Sequence, residues 1–218
     1  VNTGAIYAEG QIGHETFATY LARLGFGEKT NIDLPDEVVG SLKNLTRKEA
    51  RAIDFATASF GQGTSVTPVQ LITAFSTFAN GGLLMRPYIS KNENPYVAQR
   101  VFSESTVQKV RGMLESAVEK AKIAAIPFYN IAGKTGTAFI PDFERGGYSD
   151  ELIHTYVGFA PASAPKFTIL IKLEKPKEVE LAGLTVVPAF RELAEFILNY
   201  YAIPPDKNPV NISSAATP

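Results

Sequence analysis

Along the first 120 residues the apolar positions recur at helical spacing, and beyond residue 128 they alternate. Phe17, Tyr20, Leu21 and Leu24 predict a helix over 14–24, stopped by Gly25 and Gly27. His14 opens that helix as a capping or surface residue. A second helical stretch runs from Thr46 to Ala58. Thr67-Pro68 then supplies an N-cap followed by proline at the first helical position. The helix it starts continues through Leu71, Ile72, Phe75, Phe78 and Ala79 and stops at Asn80-Gly81-Gly82. Its apolar face is wide enough to predict a helix in the domain centre, with Phe75 and Phe78 in the core. Ser103 caps a further helix to about Lys120, carrying Val107, Val110, Leu114 and Ala117 on one face.

Between these helices, residues 28–46 read as an irregular surface excursion, and 84–102 as two short extended pieces around Pro87 and Pro95. Val1 to Ala8 reads as the middle of an apolar segment. After the change of period, strands are expected at 129–138, 154–160 and 167–174. The polar, glycine-containing stretch Phe139 to Ile153 separates the first two and is long enough for a functional lid. The short Pro161–Lys166 connection makes the second and third an antiparallel hairpin. Pro188 is expected to open a last helix bearing Phe190, Leu193, Ala194, Ile197, Leu198 and Tyr201, closed by Pro204-Pro205. From Asp206 onward the composition predicts a disordered tail. Helices, then antiparallel strands, then a closing helix predict an α+β fold: an antiparallel sheet with helices on both faces.

Composition narrows the function classes. With 45% hydrophobic and 20% charged residues the 218-residue chain is that of an ordinary soluble domain. A net charge of -1 gives no case for nucleic acid or an anionic membrane surface. No apolar run approaches the roughly 18 residues needed to span a bilayer. The absence of cysteine excludes disulfides, a cysteine nucleophile and thiolate-bound zinc, and it fits either redox compartment. Two histidines, His14 and His154, do not suffice for a His-rich metal site and argue against a histidine-based triad. Nothing indicates a metal or organic cofactor. The carboxylates Asp142/Glu144 and Asp150/Glu151 belong to a solvated loop, and His154 and Gln62 read as structural.

The chemistry concentrates in Asn130-Ile131-Ala132-Gly133-Lys134-Thr135-Gly136-Thr137-Ala138. In an extended segment side chains alternate, so Thr135 and Thr137 point the same way. Gly133 and Gly136 remove bulk and let another backbone lie close along the strand. One cation, two aligned hydroxyls and approachable backbone N–H groups suit an extended ligand ending in a carboxylate. By itself the same stretch also reads as a buried strand with a turn-forming glycine.

Lys134-Thr135-Gly136-Thr137 is preceded by Ser59-Phe60-Gly61-Gln62-Gly63, by Val66-Thr67-Pro68-Val69-Gln70-Leu71, and by Asn80-Gly81-Gly82 with Pro87-Tyr88-Ile89. It is followed by Val157-Gly158-Phe159-Ala160-Pro161 and by the Pro188–Tyr201 helix ending in Ile203-Pro204-Pro205. This ordered series resembles the transpeptidase domain of class B penicillin-binding proteins, from Val1 to about Pro205. The resemblance implies a serine D,D-transpeptidase that cross-links peptidoglycan stem peptides through an acyl-enzyme and is acylated by β-lactams. Its motif set is Ser-x-x-Lys, Ser-x-Asn and Lys-Thr-Gly. Val1-Asn2-Thr3-Gly4 is similar to the end of Ser-x-Asn, with its serine just before residue 1 and Ser-x-x-Lys further upstream. Residues 1–205 are then the C-terminal portion of a transpeptidase domain and 206–218 the tail.

The resemblance assigns roles. Lys134 supplies positive potential and assists proton transfer, while Thr135 and Thr137 hydrogen-bond the substrate carboxylate. Gly136 permits close backbone approach, the Thr137 N–H forms half of the oxyanion hole, and Asn2 contacts the substrate amide. Asn2 can equally be a frayed terminal residue. The one internal match, Ser163-Ala164-Pro165-Lys166, is rejected as a nucleophile motif, because Pro165 in a hairpin loop prevents Ser and Lys from lying one helical turn apart. The chain alone is therefore expected to be inactive, its upstream part carrying the nucleophile. The resemblance further implies work in cell-wall synthesis, division or shape, on the extracytoplasmic side of a bacterial membrane, with an anchor outside this chain. Other cell-wall synthesis proteins are then possible partners. A serine β-lactamase or D,D-carboxypeptidase shares the fold, and a non-catalytic β-lactam sensor would need only the binding wall.

Overall fold

The computed structural model describes residues 2–177 and 179–207. Its elements, in order, are α1 (Asn2–Ile12), α2 (His14–Arg23), α3 (Lys43–Thr46), α4 (Ala52–Ser59), α5 (Pro68–Ser76), β1 (Leu83–Met85), β2 (Val97–Arg100), α6 (Glu104–Ala121), β3 (Ala132–Pro141), β4 (Tyr148–Ala160), β5 (Phe167–Glu174) and α7 (Ala182–Tyr200). The expected α+β architecture is present. β3, β4 and β5 form an antiparallel sheet in that order, and β1 and β2 pair separately. The expected tail from residue 208 onward lies outside the described residues.

Helices cover both faces of the main sheet. On one face α7 brings Val186, Val187, Phe190, Ala194 and Leu198 against Tyr156, Ile169 and Ile131. On the other, Ala132, Phe159 and Ala162 meet Phe75 and Phe78 from the α5 region and Leu114 of α6. β4 is the middle strand, so both of its faces are covered. It reads as continuously buried from Tyr156 to Ala160 rather than alternating. Each fully buried large side chain, Phe190 and Leu198 among them, contributes about 1.5–3 kcal/mol of apolar transfer.

The helix starts read from sequence are built as expected at two places. Thr67 Oγ1 accepts from the Gln70 N–H at 3.1 Å, and the Gln70 side chain accepts from the Thr67 N–H at 2.9 Å, a reciprocal capping box. Ser103 Oγ accepts from the Thr106 N–H at the start of α6. The α5 helix is shorter than its apolar run, because Thr77, fully buried, turns its hydroxyl onto the Ala74 carbonyl at 2.7 Å.

Three elements differ from the sequence pattern. The helix expected from Thr46 to Ala58 is broken between α3 and α4. Asp54 accepts from the Arg51 N–H at 2.9 Å and so starts a new helix there. Pro188 does not open the last helix but sits inside it, since α7 begins at Ala182. Burial of Ala182, Val186, Val187 and Phe190 against the sheet carries the helix across the missing N–H.

The stretch from Phe139 to Ile153 is not a lid loop. β3 and β4 continue outward as a paired ribbon, with Ala138 opposite Ile153, Phe139 opposite Leu152 and Pro141 opposite Tyr148. Only 142–147 turn, where the Asp142 carboxylate accepts from the Glu144 and Arg145 N–H groups. The ribbon projects beyond the helices, so neither face is buried and its composition is that of a loop.

Candidate active site

β3 lies at the edge of the main sheet, with β4 on one side and no strand on the other among the described residues. Alternate backbone N–H and C=O groups along it are therefore free to pair with an added chain. Its beginning is held deep in the protein: Ala132 is fully buried and Gly133 is buried beside it. The lead-in is pinned by the segment that follows α7. The Asn130 N–H donates to Asp206 at 2.7 Å, and the Tyr129 hydroxyl donates to the Ile203 carbonyl at 2.6 Å. Asp206 also accepts from the Ser163 hydroxyl and N–H, tying down the loop after β4.

From this anchored start the strand emerges into solvent at the residues singled out by sequence. Lys134, Thr135 and Thr137 are exposed and Gly136 is half-buried. Lys134 lies opposite Val157, and its ammonium folds back to donate to the Thr135 carbonyl at 2.8 Å. Thr135 lies opposite Tyr156 and Thr137 opposite His154, so the two hydroxyl residues share the face that α7 covers deeper in the sheet. Gly136 lies opposite Thr155. One strand thus assembles Lys134, Thr135, Gly136 and Thr137.

Asn2 is not joined to them. It is the exposed first residue of α1, which packs against α4 and α2, and no hydrogen bond links it to β3 among the described residues. Ser163 and Lys166 lie in a non-helical loop, and the serine hydroxyl is engaged by Asp206 at 2.7 Å. His14 is structural: its ring stacks on Phe55 at 4.3 Å and hydrogen-bonds the buried Glu9 at 2.6 Å. Glu144, Asp150 and Glu151 are exposed on the projecting ribbon.

Sequence reasoning did not single out Tyr156, and it read His154 as structural. Both are buried on β4 directly behind the two threonines. His154 Nδ1 hydrogen-bonds Thr185 Oγ1 of α7 at 2.8 Å. Tyr156 packs edge-on against Phe190 with centroids 4.5 Å apart, and burial pushes its phenol well above the ordinary tyrosine range, so it stays protonated. The available signal was the period-two alternation of β4, which puts 154 and 156 on the face of 135 and 137 once the register is known.

A family model described as the penicillin binding protein transpeptidase domain matches residues 1–195. The chain belongs to this family. It is 33% identical to stage V sporulation protein D of Bacillus subtilis, over 96% of this chain and 34% of that one. It is 30% identical to the probable peptidoglycan D,D-transpeptidase PenA of Neisseria meningitidis, over 100% of this chain and 37% of that one. A solved penicillin-binding protein 3 from Mycobacterium tuberculosis, complexed with ampicillin, superposes with a TM-score of 0.83 at 27% identity, covering 95% of this chain and 50% of that one. The chain spans about a third of the length of the curated relatives it matches.

Proposed function

We propose that this chain is the C-terminal portion of a serine D,D-transpeptidase domain, and that β3 is the substrate-binding wall of its acyl-transfer site. The observation that carries this is the exposed Lys134-Thr135-Gly136-Thr137 row on an anchored edge strand, in a chain of the transpeptidase family. An extended peptide stem adds to the open edge of β3 through main-chain hydrogen bonds. Thr135 and Thr137 hold its carboxylate with hydroxyl donors, and Lys134 supplies the positive potential that favours the anion. The Thr137 N–H donates to the oxygen that becomes negative when a serine adds to the carbonyl carbon. Loss of one such donor in other enzymes has lowered the rate by about a hundredfold or more.

In the reaction the serine oxygen bonds to the carbonyl carbon, the amide C–N bond breaks and the departing amine takes up a proton. A second amine then displaces the serine and closes the cross-link. A β-lactam enters the same step, but its departing amine remains tethered by the ring. Our reading puts the serine outside these 218 residues; the non-helical loop that holds Ser163 and Lys166 and the engagement of Ser163 by Asp206 support it. Asn2 joins the site only in the company of that upstream part. The whole protein's work is peptidoglycan cross-linking at the outer side of a bacterial membrane, in division or cell-shape maintenance. No helix of the described residues is long and apolar enough to cross a membrane.

Labelled penicillin tests the reading. The complete protein should take up covalent label and the isolated 218-residue chain should not. Label on the isolated chain would overturn the placement of the nucleophile, and an unlabelled complete protein would overturn the proposed activity. Lys134→Ala in the complete protein should slow labelling without unfolding the domain.

A further inference from the structure

The strand that carries Lys134 has β4 on one side and an open edge on the other, so its direction depends on how its root is held. Beyond the Ala132–Phe159 pair, the Ala162 N–H donates to the Asn130 carbonyl at 2.7 Å. A strand partner would return that bond through its own carbonyl. Here the Asn130 N–H donates instead to Asp206 Oδ1 at 2.7 Å. Asp206 Oδ2 accepts from the Ser163 hydroxyl at 2.7 Å and from the Ser163 N–H at 3.1 Å. One carboxylate thus spans the entry to β3 and the loop that leaves β4.

Both ends of this clasp have firm backing. Arg111 of α6 donates to the Ser163 carbonyl at 3.3 Å. The segment that carries Asp206 runs along residues 128–130 and is bonded to each of them. The Lys207 N–H donates to the Phe128 carbonyl at 3.0 Å, and the Tyr129 hydroxyl donates to the Ile203 carbonyl. Ile203 packs against the core between α7 and the sheet, and the Lys207 ammonium meets Glu119 of α6 at 3.2 Å. From Asp206 onward the composition reads as a tail, yet Asp206 is half-buried and its carboxylate accepts three hydrogen bonds. Hydrogen bonds to a charged acceptor are the stronger kind.

We propose that Asp206 is a positioning residue of the acyl-transfer wall, acting through Asn130. Lys134 follows Asn130 at a distance of about 13 Å along an extended chain, with only Ile131, Ala132 and Gly133 between. With its root clasped, β3 leaves the core in one direction and presents its open edge already ordered. Without the carboxylate the root opens and closes, and a ligand that adds to the edge must first order it. The apparent affinity of such a ligand falls by the fraction of molecules that are ordered. This rests on the reading that β3 is the substrate-binding wall.

The test is acylation of the complete protein by benzylpenicillin over a range of concentrations, well below the melting temperature. Asp206→Ala should raise the half-saturating concentration about three- to tenfold, the effect of one hydrogen bond, and leave the limiting rate within about twofold of wild type. Amide exchange at residues 130–133 should quicken, while the amides of α7 keep their protection. Asp206→Asn keeps an oxygen for the Asn130 N–H and should recover most of the loss. Thr67→Ala, which weakens the start of α5, serves as the control for lowered stability alone and should change neither kinetic parameter. If Asp206→Ala does not fold, Asp206→Ser, whose shorter side chain does not reach both partners, takes its place in the comparison.

A folded Asp206→Ala protein with wild-type kinetics would overturn the inference alone, since that is the outcome of a merely structural contact. So would a Thr67→Ala protein that shows the same rise, or an Asp206→Asn protein as impaired as Asp206→Ala. A wild type that takes up no benzylpenicillin would overturn the acyl-transfer reading. A Lys134→Ala protein that reacts like wild type would overturn the role of β3 as the wall. In either of those cases this inference falls as well.

Discussion

Gly133→Ala adds one methyl group at the most confined point of the wall. The new Cβ would sit 2.3 Å from Tyr156 Oη, 2.6 Å from Cζ and 3.0 Å from Cε1. The phenol has no room to swing, being 3% exposed and seated on Phe190. Two effects oppose each other. Removing a glycine from a strand favours folding by about 0.5–1 kcal/mol, through the unfolded chain's lost freedom. Overpacking of a closed core costs about 1–3 kcal/mol. The cost range lies above the gain, leaving a net loss of up to roughly 2.5 kcal/mol, or a fall in Tm of up to about 10 °C for a domain of this size.

Gly136→Ala is the internal control. Its Cβ meets Thr155 Oγ1 at 2.4 Å, but that side chain is only half-buried and can rotate away. Stability should then change by no more than about 0.5 kcal/mol. Thermal unfolding of the intact protein, followed by calorimetry, reads both. In a Tyr156→Leu background the cost of Gly133→Ala should shrink, with a coupling of at least about 0.5 kcal/mol. If Gly133→Ala and Gly136→Ala melt together, and Gly133→Ala adds independently to Tyr156→Leu, then Tyr156 does not occupy the space over Gly133.

Other expectations are checked by similar measurements. Phe190→Ala removes a fully buried ring between α7 and Tyr156 and should destabilise by about 3–5 kcal/mol in a denaturant titration. Thr67→Ala breaks the capping box of α5 and should cost about 1 kcal/mol, whereas Thr67→Ser should restore most of it. Asp33 ties residues 89 and 90 to the excursion at 28–46, accepting from the Ser90 and Ile89 N–H groups, each at 2.7 Å. Those bonds hold its carboxyl below the ordinary value of 3.8. A depressed folded-state value means the contact is fully present above that ordinary value and is lost as pH falls through the lower one. Hydrogen exchange at Ile89 and Ser90 should therefore become less protected relative to neighbouring amides in strong acid, and Asp33→Asn should abolish that pH dependence.

Much of the fold was legible along the chain because local physics decides it. Thr67 and Ser103 start helices wherever they precede an apolar run, and the 4-residue-scale periodicity of α6 survives into the structure. The misreadings share one cause: tertiary contacts outweighed a local signal. Burial against the sheet carried α7 through Pro188, and a side-chain cap at Asp54 divided a periodic stretch. The outer ends of β3 and β4 have strand pairing without burial, so they lack the apolar alternation that marks a strand.

The proposed binding wall followed the same division. By itself the sequence determined that a cation, two same-facing hydroxyls and two small residues share one short extended segment, because a strand's alternation needs no partner. It also supplied the ordered series of motifs that places the chain in its family. Only the tertiary structure decided that this strand lies at an open edge, that Asp206 pins its lead-in, and that Tyr156 and His154 stand behind the threonines. Those facts depend on which strand pairs with which, and in what register. A one-residue slip of β4 would turn both side chains to the other face without changing a single letter of the chain.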